Sequence, residues 1–296
     1  MQTGIPHEQL EPLRKYLFTV AYNILGEVEE AKDVVHDAYA YFLSLEEGHV
    51  KNVKSYLTRV VANKAIDKLN DLKKKRENYP GTWLPEPYVH NPFQDDPFEA
   101  GIMNYDVLSR LEILNPVERA VFVLREGFDF PFSELAILCN ATEINCRKIL
   151  SRAREKVKMN KALFNNNNKN EKLLRLIEVF LKSVDEENLK KLTDILREDI
   201  ILYSDSGGKV PAAINPIFGY VNVAKFMIGI ARKYKSQDVQ ISIIQVNGQE
   251  AVLISLHTLP ETLIIFSEEG GKLQQIQVIR NPDKLLLKNL SQKQRS

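Results

Sequence analysis

The sequence predicts a multidomain chain, helical in its first half and α+β in its second. Three observations carry that prediction. Apolar residues recur at helical spacing through residues 10–76 and again from near Pro97 to about Lys161. Residues 78–98, NYPGTWLPEPYVHNPFQDDPF, interrupt the pattern with five of the thirteen prolines, and proline removes backbone donors and biases its neighbour toward extended geometry. Beyond the polar tract NNNNKN at 165–170, the pattern turns to short β-branched segments separated by turn residues. The expected division is a helical domain at 1–77, a proline-rich linker at 78–98 and a second helical domain at 99–162. An asparagine-rich linker at 163–170, an α+β domain at 171–286 and a polar tail at 287–296 complete it.

Each element follows from its residues. From Asn52 to Leu72, Val53, Leu57, Val60, Val61, Leu69 and Leu72 fall at or near one helix face, while Arg59, Asn63, Asp67 and Asn70 form a polar stripe. Lys64 to Arg76 holds six basic residues against two acids, and Arg147 to Lys161 holds seven against one. Two local basic stretches in a chain of net charge +1 suit phosphate binding at two places. The linker carries Trp83, the only tryptophan, between residues that cannot form a helix interior. Phe132–Leu138 reads as a short helix and Cys139-Asn140-Ala141 as a tight turn, with Thr142 capping a helix from Glu143 onward. In that second helix Cys146, Leu150, Ala153 and Val157 form an apolar stripe, and Asn145, Arg147, Lys148, Ser151, Arg152 and Arg154 lie opposite. Such a helix-turn-helix can present donors to a major groove and to phosphates. Further on, helices are expected at about 171–183, 186–196 and 220–234. QISIIQV, EAVLISLHTL, TLIIFSE and LQQIQVI read as strands joined at turns such as Asn247-Gly248 and Gly270-Gly271. Helices followed by a meander predict a curved sheet wrapping helices.

Composition excludes several classes. A hydrophobic fraction of 44% supports packed cores, and no apolar run approaches the roughly 18 residues of a membrane span. The opening MQTGIPHEQLEPLRKY lacks the regions of a secretory signal, so a soluble, cytoplasmic protein without a membrane partner is expected. Cys139 and Cys146 offer neither a disulfide framework nor zinc spacing, and Cys146 reads as a small core residue. DSGGKV lacks the spacing of a phosphate loop, and His36 has no neighbour spaced to share a metal. No cofactor, metal or catalytic residue is predicted.

LNPVERAVFVLRE at 114–126, followed by FSELAILCNATEINCRKILSRARE, resembles region 4 of a bacterial sigma factor. LGEVEEAKDVVHDAYAYF at 25–42 and VKSYLTRVVANKAIDKL at 53–69 resemble region 2. Two such regions with no large domain between them resemble the extracytoplasmic-function group. The resemblance implies two partners, promoter DNA and core RNA polymerase through its beta-prime clamp and beta flap. It assigns the upstream (−35) element to Thr142, Asn145, Arg147, Lys148, Ser151, Arg152 and Arg154. The melted downstream (−10) element falls to Tyr56, Arg59, Asn63, Lys64, Asp67 and Lys68, and polymerase binding to Asp33, His36 and Asp37.

YPGTWLPEP at 79–87, DSGGKV at 205–210 and NPDKL at 281–285 resemble three signatures of sigma factors with a fused SnoaL-like C-terminal domain of the NTF2-like fold. Thr82 stands where that subgroup usually has proline, and Ser206 where it usually has glycine. The implied regulatory contacts are Trp83, Leu84, Pro85, Glu86 and Pro87 in the linker, Asp205, Gly207, Gly208 and Lys209 in the loop, and Asn281, Pro282, Asp283 and Lys284 in the tail. The reading that follows docks Trp83 and Leu84 on the C-terminal domain, with Pro85 and Pro87 stiffening the connector. The fold often encloses a pocket, so a DNA-binding regulator sensing a small molecule in this domain stands as the alternative. Catalysis is not expected, because His257, on a predicted strand, lacks an evident carboxylate partner.

Overall fold

The structure, a computed structural model, describes residues 7–45, 50, 52–89, 101–158, 170–257 and 259–285. The chain forms two compact units, Met1–Glu77 with Gln94–Asn165 and Asn78–Phe93 with Asn166–Ser296.

The first unit is helical: α1 (His7–Leu25), α2 (Val28–Leu43), α3 (Val53–Arg76), α4 (Tyr105–Arg110), α5 (Pro116–Phe122), α6 (Phe132–Leu138) and α7 (Glu143–Val157). Local chemistry sets the ends. The Asn52 side chain accepts from the Ser55 amide at 3.0 Å and starts α3. Asn115 and Glu118 satisfy each other's backbone amides in a capping box that opens α5, with Pro116 at its first position. A π-helical turn at Val123–Gly127 follows α5.

Sequence places α1–α3 and α4–α7 in separate domains; in the structure they pack as one unit. The Asn23 side chain donates to the Gly101 carbonyl at 2.7 Å and accepts from the Met103 amide at 3.1 Å. Arg76, ending α3, bridges Glu27 at 2.6 Å and Glu112 at 3.1 Å. Arg119 is fully buried, donating to Glu112 and to the Asn23 carbonyl at 3.3 Å. Lys73 donates to the carbonyls of Glu112 and Leu114, and burial holds its ammonium below the ordinary lysine value. Charged groups therefore join the two helical groups.

The second unit is α+β: α8 (Asn170–Asp185), α9 (Leu189–Ile195), β1 (Leu196–Asp205), β2 (Ile217–Phe218), α10 (Tyr220–Tyr234), β3 (Val239–Val246), β4 (Gln249–Leu256), β5 (Leu259–Glu269) and β6 (Lys272–Ile279). The six strands run in the order β2-β1-β6-β5-β4-β3, with β3 to β6 an antiparallel meander and β1 parallel to β6. Asn247 and Gly248 both take positive φ, as the tight hairpin between β3 and β4 requires. Leu173, Ile177 and Phe180 of α8 and Val223 and Met227 of α10 pack with Val252, Ile264, Phe266, Ile276 and Val278 of the sheet. This is the helix-filled cone of the NTF2-like fold. Sequence missed β1 and β2, and His257 lies in the turn after β4, exposed, rather than within a strand.

Candidate nucleic-acid interface and linker dock

The helix-turn-helix is built from local signals. Asn140 takes φ of 46° to turn the chain, and the Thr142 hydroxyl accepts from the Asn145 amide at 3.2 Å. Cys146, Leu150, Ala153 and Val157 bury the inner stripe of α7. Burial pushes the Cys139 thiol up to about 12, with Cys146 beside it, so both thiols stay protonated and serve packing. Thr142, Asn145, Arg147, Lys148, Ser151, Arg152 and Arg154 are all exposed.

Two of these also have partners within the protein. The Arg154 guanidinium pairs with Glu126, whose side chain is buried, and so braces α7 against the π-helical turn. Arg147 is partly engaged, pairing with Glu143 at 3.4 Å and lying 4.1 Å from the centre of the Phe132 ring. A second brace joins Lys156 to Glu118 at 2.7 Å. Burial works against that carboxylate, but the Lys156 hydrogen bond and the Asn115 amide hold it below its ordinary value. Sequence reasoning missed Ile144, which is 68% exposed in the first turn of α7.

On α3, Asn63 and Asp67 are exposed, and Tyr56 and Arg59 are half-buried beside them. Lys64 and Lys68 turn away from this stripe toward α2. Lys64 lies 3.8 Å from Asp37, and Lys68 pairs with Glu30, whose hydrogen bond raises its ammonium above the ordinary value. These pairs link α3 to α2. Asp33, His36 and Asp37 line the exposed side of α2. Tyr41, half exposed and within hydrogen-bond reach of Tyr56, was also missed; the aromatic run Tyr39-Ala40-Tyr41-Phe42 was its signal.

In the second unit the linker lies on the sheet domain around one buried carboxylate. Asp205, with no exposure, accepts from the Tyr79 hydroxyl, the Leu84 amide at 2.9 Å, the Gly207 amide at 3.1 Å and the Lys284 ammonium at 2.7 Å. Lys284 also donates to the Leu84 carbonyl and lies 4.1 Å from the centre of the Trp83 ring, a cation–π contact. Asn281 donates to the Tyr79 oxygen at 2.9 Å. Lys209 pairs with the exposed Asp283. The charges thus pair across the two motifs, Asp205 with Lys284 beneath the linker and Lys209 with Asp283 outside.

The glycines of the loop answer to space as well as to conformation. A Cβ on Gly208 would meet Pro80 at 2.6 Å, and one on Gly207 would meet Asn281 at 2.7 Å. Leu84, Pro85 and Pro87 are buried, Trp83 and Glu86 half-buried, and Pro282 exposed at the tail turn. The linker ends its described course at the β3–β4 hairpin, where Tyr88 exchanges hydrogen bonds of 2.9 Å with Asn247 and Val89 bridges Val246. Tyr79 and Asn247 belong to the dock and were not among the expected residues. Residues 90–98 of the expected linker, the boundary at 163–169 and the tail beyond Leu285 lie outside the described residues.

Among the described residues no cluster of three or more His, Cys, Asp or Glu is placed to hold a metal ion, and no helix is long and apolar enough to cross a membrane.

Comparison with known proteins identifies both helical regions. The family described as sigma-70 region 2 matches residues 10–75, and sigma-70, region 4 matches residues 105–157. ECF RNA polymerase sigma factor SigJ of Mycobacterium tuberculosis is 33% identical over 233 residues, covering 76% of this chain and 73% of the relative. Probable ECF RNA polymerase sigma factor SigI of the same organism is 24% identical over 278 residues, 92% of each chain. The crystal structure of Mycobacterium tuberculosis extracytoplasmic function sigma factor SigJ superposes with a TM-score of 0.76 at 27% identity, covering 94% of this chain and 98% of that one. Two helical regions that match sigma-70, followed by a cone domain that holds the linker between them, place this chain in the extracytoplasmic-function family of RNA polymerase sigma factors.

Proposed function

We propose that this sigma factor directs core RNA polymerase to its promoters, with the C-terminal domain tuning its activity through the docked linker. In this reading α7 enters the major groove of the upstream element. The α3 stripe of Arg59, Asn63 and Asp67, with Tyr56 and Tyr41, captures unpaired bases of the downstream element by hydrogen bonding and stacking. Asp33, His36 and Asp37 offer polar contacts to the polymerase. Acting on chromosomal promoters places the protein in the cytoplasm.

Promoter elements about two duplex turns apart lie roughly 70 Å from each other. A compact unit of about 150 residues has a radius of gyration of only ~15 Å, so α3 and α7 cannot serve both elements while joined in one unit. Activity then requires the first unit to open. The linker that connects its halves is the segment that the tail domain grips, and the Asp205–Lys284 pair beneath it carries the reading. Phe180, Phe266 and their aliphatic neighbours form the buried core between the helices and the sheet, and His257 is exposed.

Transcription by core polymerase with the full chain, with Asp205→Asn and with a chain lacking residues 165–296 tests this. Asp205→Asn leaves Lys284 buried without its counter-charge, at a cost of about 3–5 kcal/mol. We expect it and the truncation to change initiation in the same direction, by about fivefold for each 1 kcal/mol of docking energy released. Equal output from all three proteins would remove the regulatory reading and leave the family assignment standing.

A further inference from the structure

We infer that Ile144 reads DNA sequence directly, by packing on the C5-methyl group of a thymine in the upstream promoter element; this rests on α7 being the groove-entering helix. The buried stripe of α7 is Cys146, Leu150, Ala153 and Val157. Helical spacing puts Ile144, Lys148 and Ser151 on the side diametrically away from it, at i, i+4 and i+7. Arg147 and Asn145 flank that outward stripe. A docked helix-turn-helix turns this side to the groove floor, and its N-terminal residues meet the base edges.

Ile144 is out of place by every other criterion. It is 68% exposed, its neighbours on the outward stripe are polar, and the helix core closes without it. Its branched side chain is stiff at χ1, so little freedom is lost when it is pressed against a partner. Among the four bases only thymine carries an apolar group into the major groove. The charges around it match that partner: Arg147, Lys148 and Arg152 are exposed on the same helix and suit a polyanion. One helical turn, about 5.4 Å, separates Ile144 from Lys148, against roughly 3.4 Å per base pair. The thymine should therefore lie one or two pairs from a guanine whose N7 and O6 face Lys148.

Holoenzyme assembled from core polymerase and the full chain is used to select its upstream element from duplexes randomised at that site. Each thymine of the recovered element is then replaced singly by deoxyuridine, which removes the methyl group alone. We expect one position to lose about fourfold in affinity, the ratio supplied by one buried methyl group. Ile144→Ala should be indifferent to that replacement and relax preference there only. The inference is overturned if the recovered element contains no thymine, or if the unsubstituted protein tolerates every uracil while Lys148→Ala still alters base preference. It is likewise overturned if Ile144→Ala weakens core polymerase binding without changing base preference, which would make Ile144 a protein contact. Should Ile144→Ala and Lys148→Ala both leave the recovered element unchanged, α7 is not the reader, and the underlying reading falls with the inference.

Discussion

A carboxylate with no solvent exposure persists only when its oxygens are filled, and Asp205 fills them with a phenol, two amides and an ammonium. The phenol gives the arrangement a pH limit. Burial, followed by the hydrogen bond to Asp205 and its charge, raises the Tyr79 hydroxyl far above its ordinary value near 10. A folded value above the unfolded one means that the stabilisation is complete below the ordinary tyrosine value. It drains away as pH climbs beyond that value. We expect the emission of Trp83, which lies against Lys284, to stay constant to about pH 10 and shift above it. Tyr79→Phe, which has no proton to lose, should flatten the change. Emission that is level through the alkaline range in the unsubstituted protein would disconnect Tyr79 from the dock. Sequence could name Asp205, Lys209, Asp283 and Lys284 together through motifs, but not which acid meets which base. That depends on burial, and burial is decided by the linker lying over one pair and leaving the other in water.

At the scale of elements, the helix-turn-helix was legible because everything that makes it is local. The turn at Asn140, the cap at Thr142 and the apolar stripe sit within a few residues of what they organise. Thr142→Ala should cost about 1 kcal/mol and lower the melting temperature of the first unit by roughly 2–4 °C; an unchanged melting temperature would show that α7 is fixed by packing alone. The strand β1 was not legible for the opposite reason. LREDIILYSD has three charged residues in a row directly after Leu196 that continue the polar pattern of α9, and its long partner β6 lies some seventy residues away, paired in parallel. The partners of Lys64, Lys68 and Arg154 were not legible for the same reason, since their acids sit on other elements. Ile144 escaped notice because one apolar residue in a basic helix means little until the facing of that helix is known.

For the molecule as a whole, charge joins the two helical groups that the proposed opening would separate. Arg76 ties α3 both to Glu27 and to Glu112. Arg76→Gln leaves Glu112 its bonds to Arg119 and Lys73 while weakening the tie between the two helical groups, by about 1.5–3 kcal/mol for a charged hydrogen bond. Spin labels on exposed Lys32 and Glu155 should then report a larger share of long separations than in the unsubstituted protein; an identical distance distribution would acquit this network of holding the unit shut. The linker shows how such a device stays reversible. Pro85 and Pro87 are buried yet have no amide hydrogen to satisfy, so lifting the segment off strands no donors at those two positions, and water can take back the few polar groups that remain. A segment zipped into the sheet along its length would be a seam; this one is a button.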